Sequence, residues 1–168
     1  VVDAKRGQTF TKLARAITLA ARYGANPAMN AALQQAVDRA RAVNMPKNNI
    51  DRAIQRASDA SATPLEQILL EAYGPGGVGI LINVATDNHT RTIAELRHLL
   101  SEYAALLGTT GSVLWQFERH GSAWQPKQSL ALAAAAKKQL ADLIAALKQN
   151  DDVIAVTTNA TGGDSHDR

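Results

Sequence analysis

Apolar residues recur at helical spacing through the first third of the chain and change to short strand-like runs after residue 64. Read as a helix from about Thr9, the first stretch puts Phe10, Leu13, Ala14, Ile17 and Ala21 on one side. Lys12, Arg15 and Arg22 then fall on the opposite side, with Lys5 and Arg6 just ahead of the first turn. Gly24 suits a left-handed helix stop, and Asn26 with Pro27 predicts the cap and first position of a second helix. That helix is expected to run to about Val43, with Met29, Leu33, Val37 and Ala40 facing inward. Pro46, preceded by Asn44 and Met45, marks a third helix whose inner stripe is Ile50, Ala53, Ile54 and Ala57, leaving Lys47, Arg52 and Arg56 outside it. Residues 1–60 therefore read as a basic three-helix bundle, and the SDASATP stretch over 58–64 as a linker.

Beyond it, Ile68–Tyr73 and Val78–Ala85 read as strands joined by the Pro75-Gly76-Gly77 turn. A helix is expected over Thr90–Tyr103 with Ile93, Leu96, Leu99 and Leu100 inward, then a strand over Gly111–Phe117 and a weaker one over Gln128–Leu132. Ala133–Gln149 carries a Leu140, Leu143, Ile144, Leu147 stripe, and Val153–Thr158 closes as a strand. Strand–helix–strand twice over is a split βαβ order, so an α+β fold is expected, with a ferredoxin-like domain over 65–160 and helices on one face. The 68–73 strand would be an extra strand added to that sheet. Residues 161–168, polar and Gly-containing, are expected to form a loose tail.

Composition changes this picture in two ways. Apolar residues make up 46% of the 168 but aromatics only 4%, so Ala must fill much of the core and packing is thin. The net charge of +3 conceals an asymmetry. Residues 1–56 carry ten Lys or Arg against three Asp, a balance of +7, and the remainder eight cations against twelve acids, a balance of −4. A basic module beside a mildly acidic one suits binding to a polyanion. Within the basic part arginine outnumbers lysine seven to three, which favours bidentate contacts to phosphate or bases. The absence of cysteine excludes disulfides, thiolate catalysis and cysteine zinc sites. No apolar run approaches the roughly 20 residues that span a bilayer, so no membrane partner is expected.

Candidate chemistry is sparse. Gly74 to Gly79 matches G-x-G-x-x-G, but a strand follows where the dinucleotide fingerprint requires a helix N-terminus, so a turn between strands is the reading. Glu95 and His98 have metal-ligand spacing on a helix without a second such pair, and read as an exposed pair. Gly108 to Ser112 reads as a helix stop and flexible turn. Trp115 and Phe117 read as alternate residues packing one strand face, while Trp124 sits in a polar connection. No nucleophile, phosphate-loop or zinc-protease motif occurs. Neither catalytic residues, a metal, a cofactor nor a small-molecule substrate is expected.

Several motifs resemble the YebC family. Asp3-Ala4-Lys5-Arg6-Gly7 with Phe10 to Arg15, Asn44 to Ile50, Tyr73 to Gly77, Thr86 to Thr92, and Leu107 to Val113 followed by Phe117-Glu118-Arg119 are similar to it in the family's order. The segment from Pro126-Lys127 to Asn159-Ala160 is similar to the family's last helix and strand. Members usually have a Lys- and Trp-containing segment before the position of Asp3. They usually also carry a further α/β domain where only residues 120–125 stand here. The resemblance implies a non-enzymatic, nucleic-acid-associated regulator. The family is described as DNA-binding transcriptional regulators. Members are also linked to translation, including a mitochondrial activator of cytochrome oxidase subunit synthesis and factors that help ribosomes through proline runs.

The leading expectation is a monomeric, ribosome-associated translation factor that sets the basic bundle against rRNA or tRNA. Lys5, Arg6, Lys12, Arg15, Arg22, Lys47, Arg52 and Arg56 would contact phosphates, with the Met45-Pro46-Lys47 turn approaching closely. A DNA-binding transcriptional regulator is the alternative, although no helix-turn-helix is compelling, and a protein scaffold using the acidic domain is a third reading. The expected location is the cytoplasm, or the mitochondrial matrix should a leader precede Val1.

Overall fold

Helix α1 spans Val2–Ala21 in the computed structural model, which describes residues 2–161. It begins a full seven residues before the expected Thr9. The threonines do not block the early turns, because the Thr9 and Thr11 hydroxyls fold back onto the Lys5 and Gly7 carbonyl oxygens at 2.9 and 3.0 Å. A short 3-10 turn at Pro27–Met29 follows, then α2 (Ala31–Ala42) and α3 (Lys47–Arg56). The predicted stripes meet in one core. Ile17, Ala21, Leu33, Val37, Ala40, Ile50 and Ala53 are buried, with Phe10, Leu13, Ala14, Ile54 and Ala57 packed against them. The Thr18 hydroxyl adds a polar tie, 2.8 Å from the Ala53 carbonyl oxygen of α3 and 3.0 Å from that of Ala14.

Two expectations fail at the helix junctions. Asn26 caps only the 3-10 turn, through Ala28 N–H, so Met29 lies outside α2 and is exposed instead of inward. Asn30 is the cap of α2, accepting from Leu33 N–H at 3.1 Å. Its amide also donates to the carbonyl oxygens of Ala20 (2.8 Å) and Gly24 (2.9 Å), closing the α1–α2 connection with one side chain. Asn30→Ala is therefore expected to cost about 1–2 kcal/mol, and Asn26→Ala only a few tenths. Urea unfolding followed by circular dichroism compares the two. Met45, expected in a surface turn, is buried in this core, because Asn44 takes a left-handed φ of 60° and turns the chain inward.

The remaining elements are β1 (Glu66–Tyr73), β2 (Gly79–Thr86), α4 (His89–Glu102), β3 (Leu106–Leu107), β4 (Phe117–His120), β5 (Ala123–Pro126), α5 (Ala134–Gln149) and β6 (Val153–Thr158). The main sheet has the order β3-β1-β2-β6. In it β1 pairs antiparallel with β3 (Tyr73 opposite Leu106), and β2 antiparallel with β6 (Ile82 opposite Val156). The α+β fold with its split βαβ sheet is present, since β2 and β3 flank β1 and are joined through α4. The strand expected as an addition is thus the inner strand that splits the pair. Packing divides the chain into two units, residues 1–67 with 85–87, and residues 68–84 with 88–168.

In the second unit, Ala72, Ile80, Ile82, Val84 and Val153 share one sheet face with Leu96 and Leu100 of α4 and Leu140, Leu143 and Leu147 of α5. Strand alternation sends Leu81 to the other face, against Val113 and Phe117. The α4 start is fixed by Asn88, which caps Arg91 N–H at 3.0 Å, and by buried Asp152, which accepts from Thr92 Oγ1 (2.6 Å) and Arg91 Nη2 (2.9 Å).

Gly111–Phe117 is not a strand. Its middle is a 3-10 turn (Leu114–Gln116), and only Phe117 enters β4, which pairs with β5 apart from the main sheet. The cause is Glu71 of β1. Its buried carboxylate accepts from the N–H groups of Gly111 (2.6 Å), Val113 and Leu114 (both 2.7 Å), which draws those donors away from any ladder. The Gly108–Ser112 turn is pinned in the same way, since Gly108 N–H also donates to the Glu71 carbonyl oxygen at 2.8 Å. Trp115 is consequently exposed while Phe117 is buried, so they do not share a packed face. Gln128–Leu132 forms no strand either, and Leu130 makes a single bridge to Ala160. The tail over 162–168 lies outside the described residues.

Candidate nucleic-acid interface

Two facing helix rows define a cleft of about 480 Å³ in the first unit. Helix α1 contributes Phe10, Thr11, Ala14, Arg15 and Thr18, and α3 contributes Asn49, Arg52, Ala53 and Arg56, with Met45 between them. Spacings of three and four residues place each row on a single helix side. No Asp or Glu lines the cleft among the described residues, although Asp87, 3.9 Å from Arg56 outside the lining, offsets part of the charge of its three guanidinium groups.

Each arginine is held differently. Arg52 donates from Nε to the Asn48 carbonyl oxygen (3.3 Å) and from Nη2 to Asn49 Oδ1 (2.8 Å). A guanidinium has five N–H donors, so this restraint orients the fork while leaving capacity for an anion. Arg15, half-buried, donates from Nη1 to the Ala85 carbonyl oxygen at 2.9 Å within the same unit. Arg56 lies 3.9 Å from Asp87, a partly exposed pair worth little in stability.

The eight predicted residues are therefore only partly convergent. Arg15, Arg52 and Arg56 come together in the cleft. Lys5, Arg6 and Lys47 are exposed beyond its lining, Lys12 is half-buried, and Arg22 donates from Nη2 to the Leu65 carbonyl oxygen. Arg6 stacks over the Phe10 ring, 5.4 Å from its centroid. Phe10 and Asn49 also line the cleft, and the sequence marks neither as a contact. Phe10 reads there as core, and Asn49 as part of the Asn44-to-Ile50 family motif. The available signal was their helical spacing from Arg15 and Arg52, which only becomes an interface once α1 and α3 pack together.

The other candidate motifs resolve into local structure. Gly74 N–H donates to the Val78 carbonyl oxygen at 2.7 Å, closing a tight turn between β1 and β2 in which Gly76 (φ 71°) and Gly77 (φ 81°) need left-handed backbone. A Cβ at Gly76 would come within 2.6 Å of Leu132. Glu95 lies 3.6 Å from Arg91, and His98 3.6 Å from Glu102, so Glu95 and His98 engage different partners. No group of three or more potential metal ligands occurs among the described residues. Trp124 is half-buried with Arg119 stacked 5.7 Å from its ring, and residues 120–125 simply close the β4–β5 hairpin. No helix of the described residues is long and apolar enough to cross a membrane.

These features define the class as an α+β protein with a basic N-terminal three-helix unit and an arginine-lined cleft. The chain belongs to the TACO1/YebC family: residues 1–60 match the TACO1/YebC protein N-terminal domain, and residues 65–124 the TACO1/YebC second and third domain. It is 48% identical over 130 residues to a "Probable transcriptional regulatory protein" of Petrotoga mobilis, covering 76% of this chain and 52% of that one. A protein of the same description from Chloroherpeton thalassium is 44% identical over 144 residues, covering 84% and 56%. The chain thus spans about half the length of the curated relatives it matches. A crystal structure of a conserved hypothetical protein from Aquifex aeolicus superposes with a TM-score of 0.88 at 27% identity, covering 95% of this chain and 92% of that one.

Proposed function

We propose that this protein is a non-enzymatic, nucleic-acid-binding regulator of gene expression whose contact surface is the basic three-helix unit. The observation that carries this reading is the convergence of Arg15, Arg52 and Arg56 in a cleft that no Asp or Glu lines among the described residues. Lys5, Arg6, Lys12, Arg22 and Lys47 extend positive charge along the same unit and supply further phosphate contacts. The finer reading is a monomeric, ribosome-associated translation factor docking on rRNA or tRNA, since a concave cleft with a restrained guanidinium suits irregular RNA. The relatives' name favours a second reading, transcriptional regulation on DNA.

Replacing Lys5, Lys47 and Arg52 together with Ala removes three cations whose loss leaves the helical core intact. Binding to RNA should weaken by about 10- to 100-fold at moderate salt, and the slope of log K against log[salt] should fall by about 2 to 3. Fluorescence anisotropy across a salt series measures both, and co-sedimentation with ribosomes tests the finer reading. An unchanged slope would sink the assignment of these residues. The DNA reading instead requires a defined site at which each altered base pair costs about 1–3 kcal/mol.

A further inference from the structure

We infer that the α1–α3 cleft accepts a single unpaired nucleotide, its base against Phe10 and its phosphate on Arg52 and Arg56. This rests on the nucleic-acid reading above and specifies the ligand of that same site. Four observations carry it.

The first is size. A cleft of about 480 Å³ is of the scale that holds one small ligand, whereas the paired and stacked bases of a duplex are not free to enter it. A base freed from pairing does protrude. The second is the aromatic wall. Phe10 lines the cleft and is only half-buried, in a chain where aromatics are scarce. Arg6 stacks over this ring at 5.4 Å, so the ring's surroundings are cationic and a base stacking on that face takes the place of the Arg6 guanidinium. Base–aromatic stacking tolerates any base because each has a π-face. The third is the Arg52 fork, fixed by two hydrogen bonds before any ligand arrives, so little side-chain entropy is lost on binding phosphate. The fourth is Asn49, which lines the cleft beside that fork and whose amide can donate to a base edge while its Oδ1 holds Arg52.

The arrangement therefore selects for single-stranded or unstacked segments over continuous helices. Backbone charge alone would not, since a duplex offers more phosphate per unit length.

Anisotropy with labelled oligouridine, oligothymidine and an RNA duplex of the same length, at fixed salt, tests this with the intact chain and with Phe10→Leu. Leucine keeps an apolar group against the bundle core but removes the ring, and thermal unfolding checks that the variant remains folded. The expected result is binding to single strands about tenfold tighter or more than to duplex, with Phe10→Leu losing about 5- to 50-fold on single strands and little on duplex. Tighter binding of oligouridine than oligothymidine would show that the 2′-hydroxyl or the base C5 position is also read, and equal binding that stacking and phosphate suffice; both support the inference. Duplex binding as tight as single-strand binding, or a Phe10→Leu variant indistinguishable from the parent, overturns it while leaving the broader nucleic-acid reading standing. Failure of all three probes to bind overturns both this inference and the RNA reading on which it rests. Arg52→Lys, which keeps the charge but not the fork, should fall between the parent and Arg52→Ala on single strands.

Discussion

Glu71→Ala is expected to destabilise the protein by about 3 kcal/mol or more. The carboxylate is buried at 4% exposure and accepts three backbone N–H groups, each at 2.7 Å or less. Hydrogen bonds to a charged acceptor contribute about 1.5–3 kcal/mol each, and deleting the acceptor leaves buried donors without partners. Glu71→Gln should cost less in bulk, yet its amide turns an NH₂ group toward N–H donors, so it should lose about half as much. Urea unfolding of the three proteins gives the order.

The same residue sets a pH dependence. Burial by itself pushes the Glu71 carboxyl up, but the N–H groups of Gly111, Val113 and Leu114 together outweigh it and hold the group below the ordinary glutamate value. A carboxyl that is more acidic when folded binds its proton first in the unfolded chain. Its stabilising contribution is therefore complete above the ordinary carboxylate range and is lost as pH falls through the folded value. Urea midpoints between neutral pH and about pH 3 should drop less steeply in Glu71→Gln than in the parent. Parallel curves would mean that other carboxylates carry the acid sensitivity.

Ile17→Ala is expected to cost about 3–4 kcal/mol, concentrated in the first unit. Ile17 is fully buried, and four of the eight other buried residues in its core are alanines (Ala21, Ala36, Ala40, Ala53). Alanines have no rotamers with which to fill a void, so the cavity persists and the cost stays near the upper part of the usual range. Half-buried Ile54 offers the control, and Ile54→Ala should cost roughly half as much because water already reaches part of that side chain. Amide exchange over α1–α3 should accelerate strongly in Ile17→Ala, and thermal unfolding should show the shift directly.

The helix stripes were legible because helical periodicity is a local property. Leu13, Ile17 and Ala21 follow one another at fixed angles whatever they eventually touch. The GPGG turn was legible for a similar reason, since the run of glycines and the strands on either side already exclude a phosphate loop. Junction chemistry was less so: Asn26 and Asn30 are equally good caps on paper, and the choice depends on which one can also reach the Ala20 and Gly24 carbonyl oxygens.

By itself the sequence determined the helical stripes, the α+β class, the surplus of cations on residues 1–56, and the motifs of a recognisable family. All of these are properties of neighbours in the chain or of sums over it. Tertiary structure alone decided that the strand over 66–73 sits inside the sheet, that Glu71 folds Gly111–Leu114 away from a ladder 40 residues later, and that three of eight candidate cations share one cleft with Phe10. Those outcomes depend on which distant backbone donors and helix faces meet, and no local periodicity encodes a partner at that separation.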